Sequence, residues 1–284
     1  MKKRILLPID FSTNALNAIR YAIDLYKAVD CDFYFLNVFH ADGPSPNEGK
    51  RVSEVEEHIY EAAKRKSETQ FKGLIDQLQL YRDNPKHTYH TIFKISSLLV
   101  AVNDIITQKN IDLLIMGTKS RPVSTAVIYS TNAMDMLEKA TACPILVIPE
   151  SMCFIPPREI VFPTDFKSKF THNALEYLIE ISKAHHAYIT ILHIQDSEEL
   201  DQEQQNNKDV LEAILKDTVY RFHTRKNTKV QQGIRTFVAN HDSDMIAFIN
   251  RKHLFFGSTL TDSLIKHLGY HSHIPILVLK NSAK

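Results

Sequence analysis

Two carboxylates occupy matched places in this chain. Asp10 closes the run Arg4-Ile-Leu-Leu-Pro-Ile-Asp10-Phe-Ser, and Asp165 closes Glu159-Ile-Val-Phe-Pro-Thr-Asp165-Phe-Lys. Each follows a short apolar stretch and precedes a helical pattern, so each is either a ligand-facing carboxylate or a cap on the next helix. Further polar residues end other apolar runs: Asn37-Val38 and Gly117-Thr118-Lys119-Ser120 early, His193-Ile194 and Asn250-Arg251-Lys252-His253 late. Fourteen histidines raise metal binding as a question. His271-Ser-His273 would put two imidazoles on one face of an extended segment, but two ligands fall short of a zinc set. His185-His186 ends a helical pattern, where imidazolium complements the helix dipole. Cys143 and Cys31 each open an apolar run, which favours an inert buried thiol over a nucleophile. No Gly-x-Ser-x-Gly elbow, Walker-type Gly-x-x-x-x-Gly-Lys-Ser/Thr or His-Glu-x-x-His occurs. A dinucleotide fingerprint after the first strand is missing too, since Asp10-Phe-Ser-Thr-Asn holds no glycine.

The elements that must position these residues repeat. Beyond the two Pro-x-Asp-Phe runs, Phe35-Leu-Asn37-Val38 corresponds to Ile191-Leu-His193-Ile194. Cys143-Pro144-Ile-Leu-Val-Ile likewise corresponds to Ile274-Pro275-Ile-Leu-Val-Leu. Three matched landmarks in the same order indicate a duplication. The spacing divides the chain into domains at 1–150 and 158–284, with a linker at 151–157 where Pro156-Pro157 forbids helix. Strands are expected near 3–9, 31–39, 87–93, 111–117 and 143–149, then near 158–163, 187–194, 218–224, 244–249 and 274–279. Helical patterns lie between them. Ala15, Ile19, Ala22, Ile23 and Tyr26 fall at helical spacing, with Ser12 or Thr13 as cap. The second half is shorter between its second and fourth strands, so its second helix or adjacent loop is truncated. Apolar strands alternating with helices mean two doubly wound α/β domains with parallel sheets. In such folds ligands sit beyond the carboxyl ends of the strands, where the strand order reverses.

Composition narrows the class. The chain has 284 residues, 44% of them hydrophobic and 24% charged, which suits globular domains and excludes a collagenous or disordered chain. Basic and acidic residues number 34 and 33, and neither half is strongly basic. That argues against nucleic acid and against a membrane surface as partner. Three cysteines make no disulfide framework, and the apolar start stops at Asp10, too short for an export signal. The expectation is a soluble cytoplasmic protein.

The residues Pro8-Ile9-Asp10, Leu36-Asn37-Val38, Asp112-Leu-Leu-Ile-Met116-Gly117-Thr118 and Cys143-Pro144-Ile-Leu-Val-Ile-Pro149, with their second-half counterparts, resemble a tandem universal stress protein of the UspA-like family. The resemblance spans nearly the whole chain. It implies two five-stranded parallel sheets of the adenine nucleotide alpha hydrolase-like type, each in the order 3-2-1-4-5. It also implies fifth strands that pair the halves as an intrachain pseudo-dimer. ATP-binding members carry Gly-x-x-Gly, nine residues, then Gly-Ser/Thr after strand four. Here Gly117 fits the first glycine, Ser120 and Ser130 replace the other two, and Thr131 and Asn132 follow. Carried over by position, Pro8, Ile9, Asp10 and Val38 would meet the nucleoside. Met116, Gly117, Ser120, Ser130, Thr131 and Asn132 would surround the phosphates of ATP, with magnesium. Serine retains an N–H donor but gives up the positive φ that glycine reaches freely. In the second half Phe248-Ile249-Asn250 stands in place of Met116-Gly117, and Gly257-Ser258-Thr259 lies too far from Pro275 to restore the motif.

The expected function is a universal stress protein of the general stress response. It is a non-enzymatic interaction or protective module with a vestigial or weak nucleotide site and a degenerate second domain. The alternative is an ATP-binding stress sensor using the first domain, with slow ATP hydrolysis. Partners are expected to be proteins, met for example by the charged 51–82 helix, or a second copy of the chain.

Overall fold

Ile5, Leu7 and Ile9 alternate with Leu6 along the first strand, and both sets are buried, so helices must cover both faces. A computed structural model shows this layering. It describes residues 2–40, 54–118, 136–137, 143–150, 152–195, 199–226, 229–250 and 273–280. The first half runs β1 (Lys3–Ile9), α1 (Thr13–Leu25), β2 (Cys31–Phe39), α2 (Glu54–Tyr81), β3 (His87–Ile95), α3 (Leu98–Lys109), β4 (Leu113–Gly117) and β5 (Ile145–Ile148). The second runs β6 (Glu159–Thr164), α4 (His172–His185), β7 (Tyr188–Gln195), α5 (Gln202–Leu215), β8 (Tyr220–Lys226), α6 (Val230–His241), β9 (Met245–Asn250) and β10 (Ile276–Lys280). The truncation in the second half includes its second helix, 14 residues in α5 against 28 in α2. Among the described residues no helix is long and apolar enough to cross a membrane.

The strands form one ten-stranded sheet in the order β3-β2-β1-β4-β5-β10-β9-β6-β7-β8. Each half has the order 3-2-1-4-5 and is parallel within itself. The halves join where β10 pairs antiparallel with β5, Ile276 opposite Val147, Leu277 opposite Leu146 and Val278 opposite Ile145. Two apolar clusters cover the two faces, and each crosses that seam. Leu146, Ile148, Leu277 and Leu279 belong to the layer beneath α1 and α4. Ile145, Val147, Ile276 and Val278 belong to the layer beneath α3 and α6.

The duplication extends to single hydrogen bonds. Asp112 accepts the backbone N–H of Arg4 at 2.8 Å, and Asp244 accepts that of Arg158 at 2.8 Å. Phe11 and Phe166 both sit at φ 58. Helix α1 starts where its cap expects, with Ser12 Oγ accepting the Ala15 N–H at 3.3 Å.

Helix α1 also ties the halves together along one side. The Asn17 amide reaches the carbonyls of Pro149, Glu150 and Met152, and the Tyr21 ring meets Phe154 edge-on at 5.1 Å. Lys3 pairs with Glu180 and lies over the Tyr177 ring at 4.1 Å. At its far end, Nε2–H of His185 donates to the Leu25 carbonyl at 2.8 Å, and His87 Nε2–H donates to that of Tyr26 at 3.1 Å. His185 does close α4, as its position suggests, but it serves a different helix from its own. Burial pushes its pKa below the ordinary histidine value, so it is a neutral donor rather than an imidazolium.

His87 and His223 are pushed down by burial in the same way. All three stay neutral in the fold at a pH where the unfolded chain takes up protons. The unfolded state then binds more protons, so stability is full above about pH 6.5 and falls as the pH drops below it. Urea unfolding at pH 7.5 and 5.5 is expected to give a lower midpoint at the acid value. Replacing His185 with Gln, which keeps an N–H donor without the titration, narrows the gap.

Candidate functional site

Strands β1 and β4 pair only through Ile5–Leu113 and Leu6–Leu114. Beyond Leu6 they diverge, so Pro8, which has no N–H to donate, costs the ladder nothing on that side. The divergence opens the sheet at the point where strand order reverses, with helices to either side. A cavity of about 470 Å³ lies there, within the range typical of small-molecule pockets. Pro8, Ile9, Asp10, Val38, Met116 and Gly117 all line it, so six of the residues expected from the sequence converge in one place. Ser120, Ser130, Thr131 and Asn132 lie outside the described residues, as do His271, Arg251, Lys252 and Gly257-Ser258-Thr259. Among the described residues no group of three or more His, Cys, Asp or Glu is placed to hold a metal ion.

Each lining residue has a local cause. Asp10 ends β1, and its Oδ1 accepts the Ser12 N–H at 3.0 Å across a left-handed Phe11. The same turn recurs at Asp165, whose Oδ1 accepts the Lys167 N–H at 3.0 Å. Asp10 is thus not the cap of α1, a place that Ser12 takes, but the acceptor of the turn before it, and its carboxylate also borders the cavity. Asn37 does not face a ligand: its amide donates to the Ile9 carbonyl at 2.9 Å, fixing the end of β1. His193 repeats that bond in the second half, with Nδ1–H donating to the Thr164 carbonyl at 2.9 Å, so it is a structural histidine. Cys31 and Cys143 are buried, and burial pushes both thiols up to about 12.

Gly117 has a reason that its motif does not state. A Cβ there would meet the Asn14 carbonyl oxygen at 2.6 Å and Ala18 Cβ at 3.4 Å. The missing side chain lets α1 lie directly against the end of β4. The Asn14 amide then donates to the Thr118 carbonyl at 3.2 Å, tethering the start of the segment that leaves β4. Asn14, Ser12, His40 and Ser97 also line the cavity, and the sequence alone did not mark any of them as a cavity residue, Ser12 being expected only as a helix cap. As ordinary cap and loop residues they carry no signal until the sheet order brings the start of α3 beside the end of β2.

The second half departs at this point. Counting from the paired residues Leu113 and Met245, Ile249 holds the place of Gly117 and Phe248 that of Met116. The turn after Asp165 is also longer, with the cap of α4 at Thr171. Two amides from α5 settle on that turn: Gln204 donates to the Asp165 carbonyl and Asn207 to that of Phe166, each at 2.8 Å. Among the described residues, bulkier side chains at the end of β9 and the α5 amides on the turn distinguish this switch point from that of the first half.

Comparison with known proteins agrees with this architecture. The Universal stress protein family matches the chain twice, over residues 1–149 and 157–280. A universal stress protein from Archaeoglobus fulgidus DSM 4304 superposes with a TM-score of 0.71 at 16% identity, covering 98% of each chain. A putative universal stress protein from Pseudomonas aeruginosa UCBPP-PA14 gives 0.63 at 12% identity, over 98% of this chain and 93% of that one. The cytoplasmic domain of a prokaryotic cation chloride cotransporter gives 0.53 at 10% identity, over 98% and 95%. At these identities the likeness is one of fold. No curated protein matches the chain in sequence.

The Gly117 contact is testable through stability. Gly117→Ala forces its methyl onto backbone, which cannot rotate away, and overpacking of this kind costs about 1–3 kcal/mol. A matching fall in unfolding free energy from urea titration is expected. An unchanged midpoint would mean that α1 does not press on β4.

Proposed function

The chain belongs to the universal stress protein family, and we propose that it is a stress-response module with one weak nucleotide site, in its first half, acting through binding rather than chemistry. The observation that carries this reading is the asymmetry at the two sheet switch points. The first is an open cavity with Gly117 at its edge, and the second carries Ile249, Phe248 and the α5 amides.

The cavity suits the nucleoside end of such a ligand. Pro8, Ile9, Val38 and Met116 offer apolar contact for a base, while Asp10 offers a carboxylate to its exocyclic donors. Bound magnesium ATP would bring charge that the chain must meet after Gly117, where Ser120 and Ser130 replace glycines of the family motif. Backbone N–H groups cradle phosphate most easily when φ is free to turn positive, so these serines support weak affinity. Three polar side chains at the cavity are engaged by backbone: Asp10 with the Ser12 N–H, Ser12 with the Ala15 N–H and Asn14 with the Thr118 carbonyl. Groups held that way suit a binding site, and the second half supplies a paired partner for the sheet.

Titration calorimetry of nucleotide-stripped protein with magnesium ATP is expected to give one site per chain, with a dissociation constant weaker than about 10 μM. Asp10→Ala weakens it further, and Ser120→Gly with Ser130→Gly tightens it. No heat up to about 1 mM ATP would end the nucleotide part of this reading. Phosphate release at a rate that follows site occupancy would favour the hydrolysing sensor instead.

A further inference from the structure

The sheet has two ends, and the one at β8 has an unusual charge. From Tyr220 to His241, through β8 and α6, the chain carries five lysines and arginines and no acidic residue, although its net charge is only +1. Arg221 is committed, donating to Glu159 at 2.6 Å and to Thr190 at 2.9 Å. Arg225, Lys226, Lys229 and Arg235 form no ion pair among the described residues, and the last three are exposed.

Among the described residues the backbone of β8 is paired on one side only. It pairs with β7 and is the last strand of the sheet. Ile189 N–H donates to the Val219 carbonyl at 2.8 Å, which sets the parallel ladder. In that ladder alternate residues of β8 turn their N–H and C=O toward β7, beginning with Val219 and Arg221. The groups of Tyr220, Phe222, Thr224 and Lys226 therefore point outward. Such an edge is a template for another strand.

Cations on an edge strand usually guard against pairing, and here they do so selectively. A second copy presenting the same β8 would meet like charge. An acidic strand would meet complementary charge from Arg225 and Lys226, which stand on opposite faces of β8, while its backbone satisfied the free ladder groups. We propose that the outer edge of β8 is a docking strand for an extended acidic peptide segment of a protein partner. A nucleic acid or an anionic bilayer could answer the charge, but neither offers a peptide ladder. The edge lies at the opposite end of the half-sheet from the seam and does not involve the nucleotide cavity, so the outcome is independent of ATP binding.

The probe is a fluorescein-labelled octapeptide alternating Glu and Val, followed by anisotropy against the full chain. Saturable binding that weakens as salt is raised is expected. Arg225→Glu with Lys226→Glu lowers affinity about tenfold or more. Thr224→Pro removes one outward N–H without touching the β7 ladder, and also lowers affinity. A peptide with N-methylated alternate amides tests the ladder on the unaltered protein and is expected to bind at least about tenfold more weakly. Absence of peptide binding up to about 1 mM would overturn the proposal. So would equal binding of the N-methylated peptide, or tighter binding of a single-stranded oligonucleotide or a phosphatidylserine vesicle.

Discussion

One short antiparallel pairing carries the architecture. Strands β5 and β10 contribute eight consecutive-run side chains, Ile145 to Ile148 and Ile276 to Leu279, and none is more than 3% exposed. Fully burying such a side chain is worth about 1.5–3 kcal/mol, so neither strand can stand exposed at the edge of a separate half. Their pairing also makes both apolar layers continuous across the seam. A duplicated chain thereby becomes a single body, and α1 reinforces the join through Asn17, Tyr21 and the Leu25 carbonyl.

Once the halves are joined, they are free to differ where they do not touch. The hydrogen bonds that shape the strand ends survive in both: Asn37 to Ile9 matches His193 to Thr164, and Asp10 to Ser12 matches Asp165 to Lys167. What changes is bulk. A glycine lets α1 approach β4 within van der Waals limits, whereas isoleucine at that place, together with a longer turn to α4, alters how the second half closes. The symmetric parts of the molecule maintain its shape, and the asymmetric parts fall at the switch points of the two half-sheets.

Much of this was legible in the sequence because buried parallel strands must be apolar on both faces. Runs such as Arg4 to Ile9 and Cys143 to Ile148 therefore announced both strand and boundary. The convergence of Asp10, Val38 and Met116 was legible for a related reason, since strand ends at a switch point share one location. Other features had no local signal. The His185 bond to Leu25 joins residues 160 apart, and burial in the fold lowers the pKa of that histidine. Gly117 was visible as a glycine, but its contact with the Asn14 carbonyl depends on a helix placed by packing. Ser97 and His40 reach the cavity only because β2 and β3 lie side by side, bringing the start of α3 over the end of β2.

The proposed nucleotide site rests on the open cavity at the switch point of the first half. Photolabelling with 8-azidoadenosine, followed by mass-spectrometric mapping of modified peptides, tests it directly. The account predicts attachment to peptides carrying Pro8 to Asn14, Val38 to His40 or Met116 to Gly117, suppressed by excess ATP. Comparable labelling around Asp165, His193 or Phe248, or labelling that excess ATP leaves unchanged, would contradict it.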